Sequence, residues 1–170
     1  MITPLQTQFI RSNGQPLNID GYTVIQMDRI PIKQGAITIR FISSEATKLQ
    51  GVALKSPKGF IKLSDGSHAR RVNVWYERDL PSSVRHEITC PDGELRVWNI
   101  YKVTTDEDRT RSEAWTNNAG MVVEDVSAAK RRYRCSDGLG DFSLADLTFE
   151  IEIDRDAEKS QSEGVEGVSP

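Results

Sequence analysis

Residues 147–154 have the sequence Leu-Thr-Phe-Glu-Ile-Glu-Ile-Asp, in which apolar and polar side chains alternate without a break. This period of two predicts a β-strand, because successive side chains of a strand point to opposite faces of its sheet. We expect Phe149 on a buried face and Glu150 on a solvated face. The strand therefore needs a second layer of structure to cover one of its faces.

Eight earlier stretches also have the composition and length of short strands, and no stretch has helical periodicity over three turns. Short strands separated by turn residues predict an all-β fold. We favour a single antiparallel β-sandwich over residues 1–154, with a barrel as the alternative. The candidate strands before residue 147 are residues 36–43, 52–55, 60–63, 71–77, 85–90, 95–103, 121–126 and 131–135.

The clearest turn signal is Pro91-Asp92-Gly93, which lies between two candidate strands. Proline presets φ at the first corner of a turn, and glycine accepts the left-handed conformation that closes a bulged hairpin. The sequence therefore predicts that residues 85–90 and 95–103 pair as a β-hairpin.

The charge of the chain is unevenly distributed. Residues 150–170 hold seven acidic and two basic side chains, so the remaining chain carries 20 basic and 18 acidic ones. Residues 155–170 also lack apolar periodicity, which predicts a disordered acidic C-terminal tail. The nearly neutral body lacks the strong positive field of a dedicated nucleic-acid-binding protein.

Several classes of protein are disfavoured by features that the sequence lacks. It contains no apolar run of the roughly 18 residues that a membrane span needs, and no secretory signal, so we expect a cytoplasmic domain. In that compartment Cys90 and Cys135 are expected to be free thiols. The sequence has no Walker loop, dinucleotide fingerprint, nucleophile elbow or zinc-ligand spacing. We therefore expect no cofactor and no metal.

Two tryptophans predict an aromatic and basic surface. In residues 71–77, Trp75 points away from the face that carries the valines, and in residues 95–103, Trp98 shares the less apolar face with Arg96. If these strands are neighbours, one sheet presents these three side chains together. Tryptophan and arginine concentrate binding energy at interfaces. The alternative is that a loop or the N-terminal segment covers both indoles.

Trp115 and Arg132 complete the set of candidate binding residues. Trp115 lies next to a predicted turn, where it serves either as a loop anchor or as a ligand platform. Arg132 belongs to the run Lys-Arg-Arg-Tyr-Arg at residues 130–134, in which alternate basic side chains point outward. With Arg70 and Arg71 this run predicts a phosphate-binding stripe, but we favour a solvated strand face with cross-strand ion pairs.

Three functions remain open at this point. We favour a non-catalytic binding module that holds a protein partner on the aromatic and basic sheet face. The first alternative is a site for a small molecule or carbohydrate, in which a histidine and a carboxylate would meet in one pocket and support catalysis. The second is binding of RNA or single-stranded DNA. The candidates for the small-molecule site are His68, His86, Trp115, Asp137 and Asp141.

Overall fold

A computed structural model describes residues 3–77, 82–104, 107 and 109–155. No helix within these ranges is long and apolar enough to span a bilayer. Arg155 ends the described chain and donates from Nε to the carbonyl of Pro31 at 2.9 Å. The remainder of the predicted tail lies outside the described residues.

The described chain forms one short helix and fourteen strands. The elements are α1 (Leu5–Arg11), β1 (Leu17–Ile19), β2 (Tyr22–Val24), β3 (Asp28–Pro31), β4 (Gln34–Ser43), β5 (Gln50–Lys55), β6 (Phe60–Lys62), β7 (His68–Ala69), β8 (Arg71–Trp75), β9 (Ser83–Thr89), β10 (Glu94–Thr104), β11 (Thr110–Glu113), β12 (Gly120–Ser127), β13 (Lys130–Ser136) and β14 (Leu147–Asp154).

Two antiparallel sheets contain most of these strands. The smaller sheet has the order β11-β10-β5-β8, and β3 pairs with β10 on the edge opposite β5. The larger sheet has the order β12-β13-β14-β4-β9-β6-β7. In each sheet the first and last strands of the order do not pair with each other. Within the described ranges the sheets therefore form a sandwich and do not close into a barrel. The prediction of an all-β antiparallel fold is confirmed.

The inner faces of the two sheets share one apolar core. Leu95 and Val97 of β10 are fully buried on one side, and Phe149 of β14 is fully buried on the other. The Phe149 ring stacks on that of Tyr133 at 4.5 Å between centroids, since the two residues are directly opposite in β14 and β13. The prediction that Phe149 is buried is therefore confirmed.

A smaller apolar cluster lies beside the core. Leu5 and Phe9, one turn apart on α1, are buried with Val24 of β2. The helix is held to the loop before β12, because the amide of Gln6 donates to the carbonyl of Asn117 at 2.7 Å. The N-terminal residues therefore cover the end of the larger sheet near β12.

Polar contacts join the two sheets at separate points. Asp28 of β3 receives a hydrogen bond from the Tyr133 hydroxyl at 2.6 Å and lies 2.8 Å from the Arg131 guanidinium. Burial raises the pKa of Tyr133 well above its ordinary value, so its hydroxyl stays protonated and can donate. Elsewhere, the Asn99 side-chain amide donates to the carbonyl of Ser136 at 3.0 Å. These contacts fix how one sheet lies on the other.

The predicted hairpin at residues 91–93 is wrong, although the turn itself forms. Gly93 has φ +87° and its amide donates to the carbonyl of Cys90 at 2.8 Å. However, β9 pairs with β4 and β6, whereas β10 pairs with β3, β5 and β11. The turn therefore carries the chain from one sheet to the other. The β3–β4 connection crosses beside it, where the Cys90 amide donates to the carbonyl of Lys33 at 2.6 Å.

The expected solvent exposure of Glu150 is also wrong. Glu150 points away from the core, as predicted, but its residue exposure is only 6%. Arg132 on the neighbouring strand lies over it, with Nη2 2.8 Å from the Glu150 carboxylate. Long side chains cover adjacent surface with their aliphatic parts, which a period-of-two pattern does not reveal. Glu152, two residues later, has a side chain that remains 46% exposed.

This difference between two outward-facing glutamates gives a test of the register. Glu150→Ala should lower the free energy of unfolding by about 1–2 kcal/mol, because it removes a largely buried, charge-assisted hydrogen bond. Glu152→Ala serves as the control and should cost less than about 0.5 kcal/mol, because its ion pair with Lys130 is exposed. Urea unfolding of both variants measures the two values. Equal losses would contradict the covered position of Glu150.

Candidate functional site

Trp75 and Trp98 lie on the same outer face of the smaller sheet. Gly51 of β5 is directly opposite Trp75 on one side and Ile100 on the other, and Ile100 shares its face of β10 with Trp98. A Cβ at Gly51 would lie 2.7 Å from a Trp75 ring carbon. Glycine at this position therefore leaves room for the indole to lie across β5.

Trp98 is covered, so the expectation that it forms an exposed contact surface is wrong. Only 2% of the residue is exposed. The Trp115 ring packs on it at 5.2 Å between centroids, and the Arg71 guanidinium lies 5.0 Å from the Trp98 ring centre. Trp115 donates from Nε1 to the carbonyl of Gln26 at 2.9 Å. Trp115 therefore has the geometry of a loop anchor that closes over Trp98.

Trp75 remains partly exposed near the edge of the same sheet. The Lys102 ammonium lies 4.9 Å from the centre of its ring. A cation at this distance is attracted by the electron-rich face of an indole. One face of Trp75 is thus occupied by a cation of the same chain.

Four basic residues form a row across four strands of this outer face, which we call the basic row. Arg29 of β3 is directly opposite Arg96 of β10, Arg96 is opposite Lys55 of β5, and Lys55 is opposite Arg71 of β8. Glu94 is the one carboxylate that pairs with the row among the described residues. It lies 2.7 Å from Arg29 Nη1 and 3.5 Å from Arg96 Nε.

The basic row leaves cationic groups without full compensation. Arg96 Nε is buried and lacks a hydrogen-bond partner within the described chain. Arg71 donates to the Asn73 side chain at 3.2 Å, and no carboxylate of the described residues pairs with Arg71 or Lys55. Like charges that are directly opposite on adjacent strands destabilise a sheet. Glu94 offsets the repulsion between Arg29 and Arg96, so the uncompensated like-charged pairs are those that Lys55 forms with Arg96 and Arg71.

Arg96 is a binding residue predicted from the sequence, whereas Arg29 and Lys55 are members of the row that the sequence did not predict. The four residues of the row are far apart along the chain and meet only through the pairing of β3, β10, β5 and β8. The sequence did contain a local indication that Lys55 points outward, because it follows a buried apolar run at the end of its strand. That signal alone does not indicate which strands are neighbours.

Arg132 does not belong to this surface. It lies on β13 of the other sheet, where it pairs with Glu150 and also lies 4.0 Å from Glu124. Lys130 on the same strand pairs with Glu152 at 3.3 Å. The favoured prediction for residues 130–134, a strand face with cross-strand ion pairs, is therefore confirmed. Arg70 and Arg71 do not join this run in a single stripe, because Arg71 lies on the smaller sheet.

A cleft of about 470 Å³ lies between the edge strand β8 and the larger sheet. His86 of β9 lines it and is 8% exposed. Its Nδ1 lies 3.0 Å from the carbonyl of Lys62. Its Nε2 is buried and has no hydrogen-bond partner within the described residues. Trp75 forms part of the wall.

The other candidates for a small-molecule pocket lie elsewhere. His68 stacks on the Phe60 ring at 4.2 Å and is exposed. Trp115, Asp137 and Asp141 do not line the cleft that contains His86. The prediction that a histidine and these residues meet in one pocket is therefore wrong.

Asp137 and Asp146 form a carboxylate pair near one end of the sandwich. Asp146 accepts a hydrogen bond from the Asp137 amide at 2.9 Å, and Asp137 accepts one from the buried Gln50 side chain at 3.0 Å. Burial, together with the neighbouring charge of Asp137, raises the pKa of Asp146 from 3.8 to about 6. Asp146 is thus partly protonated at mildly acidic pH.

Among the described residues, the remaining reactive side chains form no cluster with catalytic geometry. Cys90 and Cys135 are buried, and burial raises the pKa of both thiols. Over the described ranges, no three His, Cys, Asp or Glu side chains are close enough to hold a metal ion together. The features left to explain are the basic row and the cleft beside His86.

The fold defines the class of this protein as an all-β, two-sheet sandwich. Comparison with protein-family models, with curated proteins and with solved structures gives no match. Its function therefore has to be inferred from its own side chains.

The raised pKa of Asp146 predicts a pH-dependent stability. A folded-state pKa above the unfolded value of about 3.9 means that protonation favours the folded state. This contribution is complete below about pH 4 and is lost as the pH rises through about 6. Asp146→Asn should flatten this dependence, because the amide oxygen still accepts from Asp137 but does not ionise. Urea unfolding of both proteins between about pH 4 and 7 measures how the free energy of unfolding depends on pH. A parallel shift of the two curves would show that Asp146 does not titrate as stated.

Proposed function

We propose that this domain is a non-catalytic binding module that holds an acidic segment of a partner protein on the basic row. The observation that carries the proposal is the set of three consecutive like-charged pairs, Arg29–Arg96, Arg96–Lys55 and Lys55–Arg71, of which Glu94 compensates only the first. Such pairs reduce the stability of the free protein. A bound anion converts the repulsion into attraction, which gives the arrangement a function in binding.

The size of the row fits a short extended segment. Four adjacent strands span about 14 Å, from three strand spacings of about 4.8 Å. An extended peptide covers this distance with about four residues, at about 3.3 Å per residue. Carboxylates of such a segment would meet the exposed guanidinium groups of Arg29 and Arg71 at its two ends. Arg96 Nε, which is buried and lacks a hydrogen-bond partner among the described residues, would lie between them.

Three observations favour a protein over a nucleic acid. Bases of single strands stack on exposed aromatic rings, but Trp98 is covered by Trp115 and one face of Trp75 is occupied by Lys102. The outer face of the larger sheet carries paired charges of both signs. The chain as a whole has a net charge of −3. A local cationic row on such a body suits an acidic peptide better than a long phosphate backbone.

Lys55→Glu tests stability and binding in one variant. The new carboxylate lies between Arg96 and Arg71, so the free energy of unfolding should rise by about 0.5–1 kcal/mol. The same change should abolish binding of a fluorescein-labelled oligoglutamate peptide, measured by fluorescence anisotropy at low salt. A gain in stability together with a loss of binding is the expected signature of a functional site.

Lys130→Glu on the opposite sheet is the matched control and should leave oligoglutamate affinity unchanged, although it breaks the ion pair with Glu152. Equal loss of affinity in the two variants would show that binding is non-specific. Absence of oligoglutamate binding to the parent protein would overturn the proposal. Tighter binding of oligothymidylate than of oligoglutamate would replace the protein partner with single-stranded nucleic acid.

A further inference from the structure

The described chain ends beside β3, the strand that carries the first cation of the basic row. Arg155 donates from Nε to the carbonyl of Pro31 at 2.9 Å and from Nη1 to that of Ala128 at 3.4 Å. Pro31 lies two residues after Arg29 on β3, so about 7 Å of strand separates them. Gly35 allows this close approach, because a Cβ there would lie 3.0 Å from the Cα of Arg155. The chain therefore leaves the sandwich at the Arg29 end of the row.

The segment that follows has a charge opposite to that of the row. Residues 156–170, which we call the acidic tail, hold four acidic side chains and one basic one. Residues 1–155 hold 21 of each sign, so the tail accounts for the whole net charge of −3. Among the described residues, Glu94 alone pairs with the row. The row and the tail are thus complementary in charge. The acidic side chains of the tail are Asp156, Glu158, Glu163 and Glu166.

The spacing of the tail carboxylates fits the length of the row. Glu158 is three residues after Arg155, a reach of about 10 Å for an extended chain, which exceeds the roughly 7 Å to Arg29. Glu163 is five residues further along, which adds a reach of about 16 Å, and the four strands of the row span about 14 Å. Arg29 and Arg71, at the two ends of the row, are both exposed. Carboxylates of the tail are therefore within reach of both ends.

We propose that the acidic tail docks on the basic row of its own chain and competes there with the acidic segment of the partner. This inference rests on the proposed function of the row and adds its regulation. A segment tethered beside its site has a high local concentration, on the order of millimolar for a short linker. Exposed ion pairs are individually weak, so the tail leaves the row open in a fraction of the molecules. Repulsion among the cations of the row therefore persists in the parent protein.

A spin label on the tail tests the contact directly. Ser162→Cys supplies one reactive thiol for the label, because the two native cysteines are buried. In NMR spectra of the labelled protein, the backbone amide signals of Lys55 and Arg71 should broaden, whereas that of Arg132 on the other sheet should not. The broadening should disappear at about 1 M salt, where screening limits electrostatic attraction to about 3 Å.

A variant with an uncharged tail measures the competition. The neutral-tail variant should bind oligoglutamate about threefold more tightly than the parent, as expected if the tail covers the row in about two thirds of the molecules. A charge-matched control loses four exposed carboxylates of the sandwich instead and should stay close to the parent in affinity. Fluorescence anisotropy at about 0.1 M salt, where screening acts beyond about 10 Å, compares the three proteins. The neutral-tail changes are Asp156→Asn, Glu158→Gln, Glu163→Gln and Glu166→Gln. The control changes are Asp20→Asn, Glu45→Gln, Glu124→Gln and Asp141→Asn.

Three results would overturn the inference: unbroadened signals of the row, equal gains in affinity for the neutral-tail variant and its control, or broadening that passes from spin-labelled chains to separate isotope-labelled chains. The last result would make a second copy the occupant of the row. Failure of the proposed function has a different outcome, because the neutral-tail variant would then not bind oligoglutamate. If that variant binds with the affinity of the parent and Lys55→Glu still abolishes binding, the function of the row stands and the tail does not regulate it.

Discussion

Strand β10 determines which side chains of the smaller sheet face the core. It pairs with β3, β5 and β11, so its register fixes those of all three neighbours. A slip by one residue would turn Leu95 and Val97 outward and would bury Arg96. Burial of a guanidinium without a partner is far more costly than its exposure, which makes the observed register strongly preferred. The basic row, the covered Trp98 and the open edge at β8 all depend on this register.

The two sheets meet through an apolar core, but polar contacts determine their relative position. Apolar packing is nearly non-directional, whereas a hydrogen bond requires its donor and acceptor at one distance and angle. Asp28, held by Tyr133 and Arg131, supplies such a contact beside Arg29 of the basic row. Such rigid support agrees with the proposed binding on the basic row, because ordering a surface in advance reduces the entropy lost when a partner binds.

Sequence patterns predicted much of the fold because burial has a local signature. The alternation around Phe149 indicated its strand and its buried face. Features that depend on non-local pairing were missed. The turn at residues 91–93 has the residues of a hairpin, but the partner of each adjoining strand is chosen elsewhere in the chain. Side-chain alternation likewise located Trp98 on the outer face but did not reveal that a loop anchored by Trp115 covers it.

In our proposal, neighbouring cations of the basic row repel one another in the free protein and bind an anion together. A double-mutant cycle with Lys55→Gln and Arg71→Gln measures this interaction directly through urea unfolding. We expect a repulsive coupling of about 0.2–1 kcal/mol at low salt, which is lost when oligoglutamate is bound. A coupling that is attractive, or absent at low salt, would contradict it.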